Sequence, residues 1–215
     1  MNDYFGKQDG AWKIQASKTL REATSAWELV YREYLSFGFV KSNKAKIVYP
    51  LITNKDSLVL FSSIYHICIA TITCTIDNGK GSGLDHIFPK SLEDIKKDGK
   101  VMDISMFASV RGKADLSSLS RDMIDFMRYS FSYAFHNNIK TVVMGVNPLY
   151  SNFYSKIFNF SLTKEVRKYP KYNNMPIELI YINPNEIYNI KNSILRNALT
   201  EKIDEDFFKD RHIFE

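Results

Sequence analysis

A chain of 215 residues is long enough for one sizeable core and short for two ordinary domains, and an apolar fraction of 45%, with 15 Phe and 13 Tyr, excludes a disordered polymer. With a mean hydropathy of -0.26 and no long uncharged apolar run, no membrane span is expected. A formal net charge of +5 favours an acidic partner such as a phosphate-bearing cofactor, an acidic carrier protein or nucleic acid, without choosing among them.

Met1 to Gly10 carries acidic and polar residues and no apolar segment, so no signal peptide is expected and the location is expected to be cytoplasmic. Trp12 to Ala16 reads as a short first strand. Thr19-Leu-Arg-Glu22 has the pattern of a capping box, so a helix starts there. Trp27, Val30, Tyr31, Tyr34 and Leu35 give that helix one apolar stripe, and Gly38 supplies a left-handed residue at its end. Leu58 to Ile76 is mostly β-branched or aromatic and is broken near Ser62-Ser63, which predicts two antiparallel strands. Cys68 and Cys74 fall in the second strand at an even spacing, predicting buried free thiols on one face. His66, His86, His136 and His212 are scattered, so no metal site is expected.

Asn78 to Gly83 predicts a flexible loop, Ser91 to Lys100 a short charged helix, and Val101 to Val110 a buried central strand. The clearest helix lies between Ser120 and Ile139, where Met123, Phe126, Met127, Phe131 and Ala134 mark the apolar face. Thr141 to Val146 is a strand. Asn147-Pro148 then supplies a cap and a proline at the first helical position. Leu149, Phe153, Ile157 and Phe158 are expected to form the buried face of the helix that follows, and Asn159 its left-handed end. A last strand spans Glu178 to Ile182. The domain is drawn over residues 1–184, and 185–215 is expected to be a polar helical tail. Its stripe of Ile187, Ile190, Ile194 and Leu195 must find the body of the chain or, as the sharper alternative, a second copy in a homodimer.

The order of strand, long helix, strand, Asn-Pro, short aromatic helix and strand sets the Val101 and Thr141 strands side by side, joined by a right-handed crossover. It resembles the GNAT acyltransferase fold. That is an α/β (α+β) architecture with a mixed, twisted central sheet flanked by helices, in which a splay between two central parallel strands admits the pantetheine arm of the donor. The short helix there commonly reads Phe-Tyr-x-x-x-Gly-Phe, and Phe153-Tyr154-Ser-Lys-Ile-Phe-Asn159-Phe160 keeps that frame with one extra residue and Asn159 for the glycine. Three further segments carry a closer likeness: Tyr31 to Phe39, Asp85-His-Ile-Phe-Pro89, and Tyr169-Pro-Lys-Tyr-Asn-Asn174. Together they resemble the N-acyl amino acid synthases, relatives of the acyl-homoserine-lactone autoinducer synthases. That family joins a fatty acyl group, usually from acyl carrier protein, to the amine of an amino acid. The likeness runs from roughly Ala11 to Pro184.

The resemblance implies an N-acyltransferase with no permanently bound cofactor, taking a long acyl chain from an acyl-phosphopantetheine donor to an amino acid or similar small amine. Many GNAT proteins hold coenzyme A in an Arg/Gln-x-x-Gly-x-Gly/Ala loop; Val110 to Leu119 has only Gly112, which argues for acyl carrier protein over acyl-CoA. The central strand reads Asp103-Ile-Ser105-Met106 where the synthases usually read Glu-x-Ser-Arg. Carried across by position, Asp103 is the candidate base and Tyr154 the candidate proton donor to the departing thiolate. Ser105, the backbone around Phe107 and Ala108, and Asn147 fall on the donor side, and Arg32, Phe37, Asn173 and Asn174 on the acceptor side. Each also has an ordinary structural reading: Asp103 paired with a lysine, Ser105 a small strand residue, Tyr154 a packing aromatic, Arg32 solvated on its helix, Asn173-Asn174 a turn. The basic groups Lys41-Lys44-Lys46, Lys96-Lys97-Lys100 and Lys164-Arg167-Lys168-Lys171 are either soluble surface or a dock for an acidic carrier. The rival readings are an acetyl-CoA-dependent N-acetyltransferase and a decayed GNAT-fold binding or regulatory protein. Nucleic-acid binding rests on charge alone and is not expected, since no recognition motif is present.

Overall fold

Residues 13–110 and 116–209 are described by a computed structural model. Their strands form one sheet in the order β1 (Ile14–Ala16), β2 (Ser57–Ile64), β3 (Ile67–Ile76), β4 (Val101–Ser109), β5 (Thr141–Val146), β7 (Met175–Ile182), β6 (Ser161–Tyr169). Among these, β4 and β5 alone run parallel, joined through helix α3 (Leu116–His136). Helix α1 (Leu20–Ser36) covers one face, packing Trp27, Val30 and Tyr31 on Val59, Met106 and Ala108. Helix α3 covers the other, where Phe126, Met127 and Phe131 meet Ile72, Ile104 and Val142. The expected architecture, a mixed sheet flanked by helices, is the one observed.

Local chemistry explains most of the element ends. At the start of α1 the Thr19 hydroxyl accepts the Glu22 N–H at 3.2 Å, and the Glu22 carboxylate accepts the Thr19 N–H at 3.0 Å. Helix α4 (Pro148–Phe158) opens with the Asn147 carboxamide oxygen accepting the Leu149 N–H and ends on left-handed Asn159, φ 61°. Its buried face is Ser151, Tyr154 and Phe158, whereas Leu149, expected inside, is 84% exposed because it stands in the first turn, away from that stripe. Helix α2 (Pro89–Lys96) starts on a proline at its first position.

The β2–β3 hairpin turns at Tyr65-His66, both left-handed with φ 48° and 67°, the two-residue primed geometry that suits strand twist. Ser62-Ser63, expected as the break, instead opposes a bulge: Ser62 faces Ala70 and Ser63 faces Cys68, leaving Ile69 as the extra residue. That extra residue overturns the expectation that the two cysteines share a face. Cys68 packs beneath α1, and Cys74 packs beneath α3 with its Sγ 3.2 Å from the Ser130 hydroxyl. Both thiols are buried.

Strand β6, read from the sequence as a basic run, is the sheet edge and carries Lys164, Glu165, Arg167 and Lys168, the charged composition that edge strands use against further pairing. The C-terminal segment is not one helix. A 3-10 turn (Pro184–Asn189), helix α5 (Ser193–Thr200), capped by the Asn192 carboxamide, and a second 3-10 turn (Glu205–Phe208) follow one another. Ile187, Ile190, Leu199 and Phe208 are buried in the α3-side core, while Ile194 is exposed. No described helix is long and apolar enough to cross a membrane, and no group of three His, Cys, Asp or Glu among the described residues is placed to hold a metal.

Candidate active site

Strands β4 and β5 pair over Val101–Asp103 and Thr141–Val143 and have no pairing beyond. Past Asp103 they part, and at the same level β4 is bulged against β3. Thr73 faces Ser105 and Thr71 faces Ala108, so Met106 and Phe107 together oppose Ile72. Met106 takes φ 60°, a left-handed geometry that costs a non-glycine residue roughly 1 kcal/mol or more. The bulge breaks the strand's alternation. Ser105 and Met106 both face the α1 side, while Phe107 turns to the other face, edge-on to Phe126 at 6.3 Å.

Asp103 sits on the α1 side at the last paired position. It is 5% exposed, its Oδ2 accepts from the Ser82 hydroxyl at 3.1 Å, and its Oδ1 has no hydrogen-bond partner among the described residues. Burial pushes the carboxyl up to about 7 and the nearby Asp85 adds to this, while the Ser82 hydroxyl and the Gly83 N–H pull the other way. A cavity of about 60 Å³ adjoins it, walled by Tyr34, Leu51, Leu84, Met106, Tyr169 and Tyr172, with Ser105 and Gly145 on the strands. The Tyr172 ring lies edge-on to Tyr34 at 5.5 Å and to Tyr169 at 4.5 Å, and its hydroxyl donates to the Met106 sulfur at 3.1 Å. Burial raises all three tyrosine hydroxyls above their ordinary value, so they remain protonated donors.

The loop expected to be flexible is clamped. The Asp77 carboxylate accepts the N–H groups of Gly79 and Gly81 at 2.9 and 3.0 Å, and the Lys96 ammonium bridges Asp77 at 2.7 Å and Asp85 at 2.6 Å. Lys96 is therefore committed inside the fold, and the expectation that it belongs to a carrier dock is corrected. Lys97 pairs with Asp94, and Lys171 donates to the Tyr49 carbonyl.

Of the residues singled out in the sequence, Asp103 and Ser105 come together at this cavity. Ala108 is buried beneath α1, and Asn147 caps α4. Tyr154 lies among Phe153, Phe158 and Phe160 at 5.5, 6.2 and 6.1 Å, outside the cavity wall. Arg32 and Phe37 are exposed, Phe37 stacking on Phe39. Asn173 and Asn174 take left-handed geometry, φ 52° and 57°, and border a separate groove of about 410 Å³ with Lys41, Asn43 and Lys171. Asn173 donates to the Gly38 carbonyl at 3.3 Å. Ser82, Gly83, Tyr34, Tyr169, Tyr172 and Gly145 were missed as site residues. Tyr34 reads as core on its helix, and nothing local marks Ser82.

The family described as N-acyl amino acid synthase FeeM matches residues 25–183, a span that contains Arg32, Asp103, Tyr154 and Asn174. The chain belongs to that family. It is an amide-forming acyltransferase. Among solved structures, FeeM, an N-acyl amino acid synthase from uncultured soil microbes, is 17% identical with a TM-score of 0.71, covering 86% of this chain and 96% of that one. The AHL synthase LasI is 13% identical with a TM-score of 0.57, covering 90% and 95%. The CoA-dependent acyl-homoserine lactone synthase BjaI, with SAM and isopentyl-CoA, is 12% identical with a TM-score of 0.60, covering 88% and 90%. At these identities the three show a shared fold. No curated protein matches the chain in sequence. In this chain Asp103 supplies an acid at the last paired position, and Met106 occupies the bulge beside it.

Proposed function

We propose that the protein moves a long acyl chain from the phosphopantetheine arm of acyl carrier protein to the amine of an amino acid or similar small amine, with Asp103 as the base. The observation that carries this reading is the buried Asp103 carboxyl, one oxygen unpartnered, beside a small tyrosine-walled cavity where β4 and β5 separate. The thioester enters between the parted strands, and the amine occupies the cavity. Its nitrogen lone pair forms the C–N bond as the carbonyl π pair moves to oxygen, and the N–H proton passes to Asp103 Oδ1. The tetrahedral centre collapses, the C–S bond pair leaves on sulfur, and the thiolate takes up a proton. The backbone N–H groups around Phe107 and Ala108 at the bulge are the donors for the oxyanion.

Tyr154 is the proton source for the thiolate in this account. Burial, with Tyr34 and Tyr150 nearby, raises its hydroxyl above the ordinary value, so it is protonated at neutral pH; it gives its proton to the leaving sulfur and is reprotonated from solvent, and Tyr34 belongs to the cavity wall. The groove at Asn173 and Asn174 holds the rest of the acceptor. A carrier protein is favoured by the single glycine between Val110 and Leu119, a stretch of which residues 111–115 lie outside the described residues, and by exposed Lys41, Lys44, Lys46 and Lys168. Cytoplasmic action belongs to the same reading.

The test is a side-by-side assay of one acyl chain on acyl carrier protein and on coenzyme A, against a panel of amino acids and small amines, with the amide read by mass spectrometry. The carrier-bound donor should win, and its advantage should shrink as salt screens the docking charges. Equal efficiency with both donors at every salt concentration contradicts the carrier reading. BjaI is described as CoA-dependent, which makes acyl-CoA the second reading.

A further inference from the structure

The loop between β3 and α2 delivers a hydroxyl to the one buried carboxylate of the site. We propose that Ser82 is a positioning residue for the reaction, holding Asp103 Oδ2 so that Oδ1 alone receives the proton of the attacking amine. This rests on Asp103 being the base.

Ser82 is 2% exposed, and its Oγ has two neighbours: the Leu84 N–H, which it accepts at 3.1 Å, and Asp103 Oδ2, also at 3.1 Å. A serine hydroxyl has one hydrogen. An N–H can only donate, so Leu84 occupies a lone pair and the hydroxyl hydrogen has Oδ2 to go to. The direction of the Ser82–Asp103 bond is thus set by the loop, and Oδ2 is an acceptor in both ionisation states of the acid. The remaining oxygen, Oδ1, is buried and has no partner among the described residues.

The loop is built to keep Ser82 there. The Ser82 N–H donates to Asp85 Oδ2 at 2.5 Å, Asp85 is tied to Lys96, and Lys96 is tied to Asp77 at the end of β3. Gly83 lies close to β4: a Cβ there would be in van der Waals contact with Asp103 Oδ2 at 3.4 Å and with the Leu51 Cβ at 3.5 Å. The ionisable groups facing Asp103 are Asp85 from this loop, paired with Lys96, and the protonated hydroxyls of Tyr169 and Tyr172 from the opposite side, with Tyr34 on α1 across the cavity. None of the described residues lining the cavity is cationic. Among the described residues, Ser82 is the side chain that donates to the Asp103 carboxylate.

The experiment uses the full chain with Ser82→Ala and Ser82→Thr. Two curves are recorded for each: the acidic limb of kcat/KM against pH, and the titration of the Asp103 carboxyl carbon by NMR, assigned with Asp103→Asn. Loss of a hydrogen bond to a charged acceptor should move both curves of the alanine variant upward by about one pH unit or more. Turnover at pH 7 should then fall about fivefold and return to within twofold of wild type near pH 9. Threonine, which keeps the hydroxyl, should restore both curves. Ser82→Cys, close in size and a weaker donor, should shift them in the same direction and serves if the alanine variant does not fold. An unmoved Asp103 titration with an equal rate loss at every pH would overturn the proposal, leaving Ser82 as loop structure. A shifted titration with an unmoved rate profile would instead show that Ser82 orients an acid the reaction does not use, overturning its role and that of Asp103 together.

Discussion

Asp103→Asn separates the cost of burying this carboxyl from its use. An aspartate that titrates near 3.8 in the unfolded chain titrates at about 7 in the folded one. Between those values the native state keeps a proton that the unfolded chain has released. The resulting stabilisation is complete below 3.8 and is lost as pH rises through 7. At about 1.4 kcal/mol for each tenfold change in proton affinity, the loss by pH 8 is bounded near roughly 4 kcal/mol, and relaxation of the site will reduce it. Asparagine keeps the shape and cannot ionise, so the variant should escape that loss. Urea unfolding at a series of pH values should show the stability of Asp103→Asn gaining on wild type by about 1 to 2.5 kcal/mol between pH 5 and pH 8. At pH 8, where the wild-type base is ionised, its turnover at saturating donor should be lower by a factor on the order of 10² to 10⁴, the usual share of a positioned acid–base group. Stability curves that stay parallel would refute the claim that burial holds the acid near neutrality. Wild-type turnover in the variant would remove Asp103 from the mechanism.

A Cβ at Gly145 would stand 2.7 Å from the Leu84 Cδ2 and 3.1 Å from the Ile177 Cδ1, so Gly145→Ala should cost about 1 to 2 kcal/mol in a urea melt and, by pushing Leu84 at the cavity wall, raise KM for the amine more than it lowers stability. Unchanged KM would mean that the cavity is not where the amine sits. Tyr154→Phe should leave stability within about 1 kcal/mol and lower turnover roughly tenfold or more if its proton reaches the thiolate. Unaltered turnover would assign Tyr154 to packing alone. Ending the chain before Asn189 removes Ile190, Leu199 and Phe208 from the α3-side core and should cost on the order of 5 kcal/mol, with sedimentation mass per subunit count unchanged and per-site turnover of the folded fraction within a few-fold. Lost turnover in a truncated protein that is still folded would place the C-terminal segment at the active site.

Much of the fold was legible because its signals are local. The Thr19 capping box, the Asn147-Pro148 start of α4 and the left-handed Asn159 each depend on residues within a turn of one another, and all three stand where the spacing predicted. Bulges are different in kind. Ile69 and Met106 are extra residues relative to a partner strand, so the register that sends Cys68 and Cys74 to opposite faces exists only once the strands are paired. Strand β6 escaped notice because an edge strand made of Lys, Glu and Arg carries no alternating apolar signal. The site divides the same way. Asp103 and Ser105 were found through a family motif on one strand, but Ser82 meets Asp103 across 21 residues of chain, and Tyr34 on α1 meets Tyr169 at the end of β6 and Tyr172 in the turn that follows. Arg32 and Phe37 show the converse: a motif position on α1 does not fix which of its side chains reaches the cavity, and Tyr34 is the one that does.

The central claim, amide formation with Asp103 as base, is tested most directly by mass spectrometry of lipid extracts from cells expressing the chain and, in parallel, its Asp103→Asn variant at equal soluble protein. The account predicts acyl amides of a small amine in the first extract that fall by at least about a hundredfold in the second. The same amides at equal abundance in both, or none in either when acyl carrier protein and amino acids are plentiful, would contradict it.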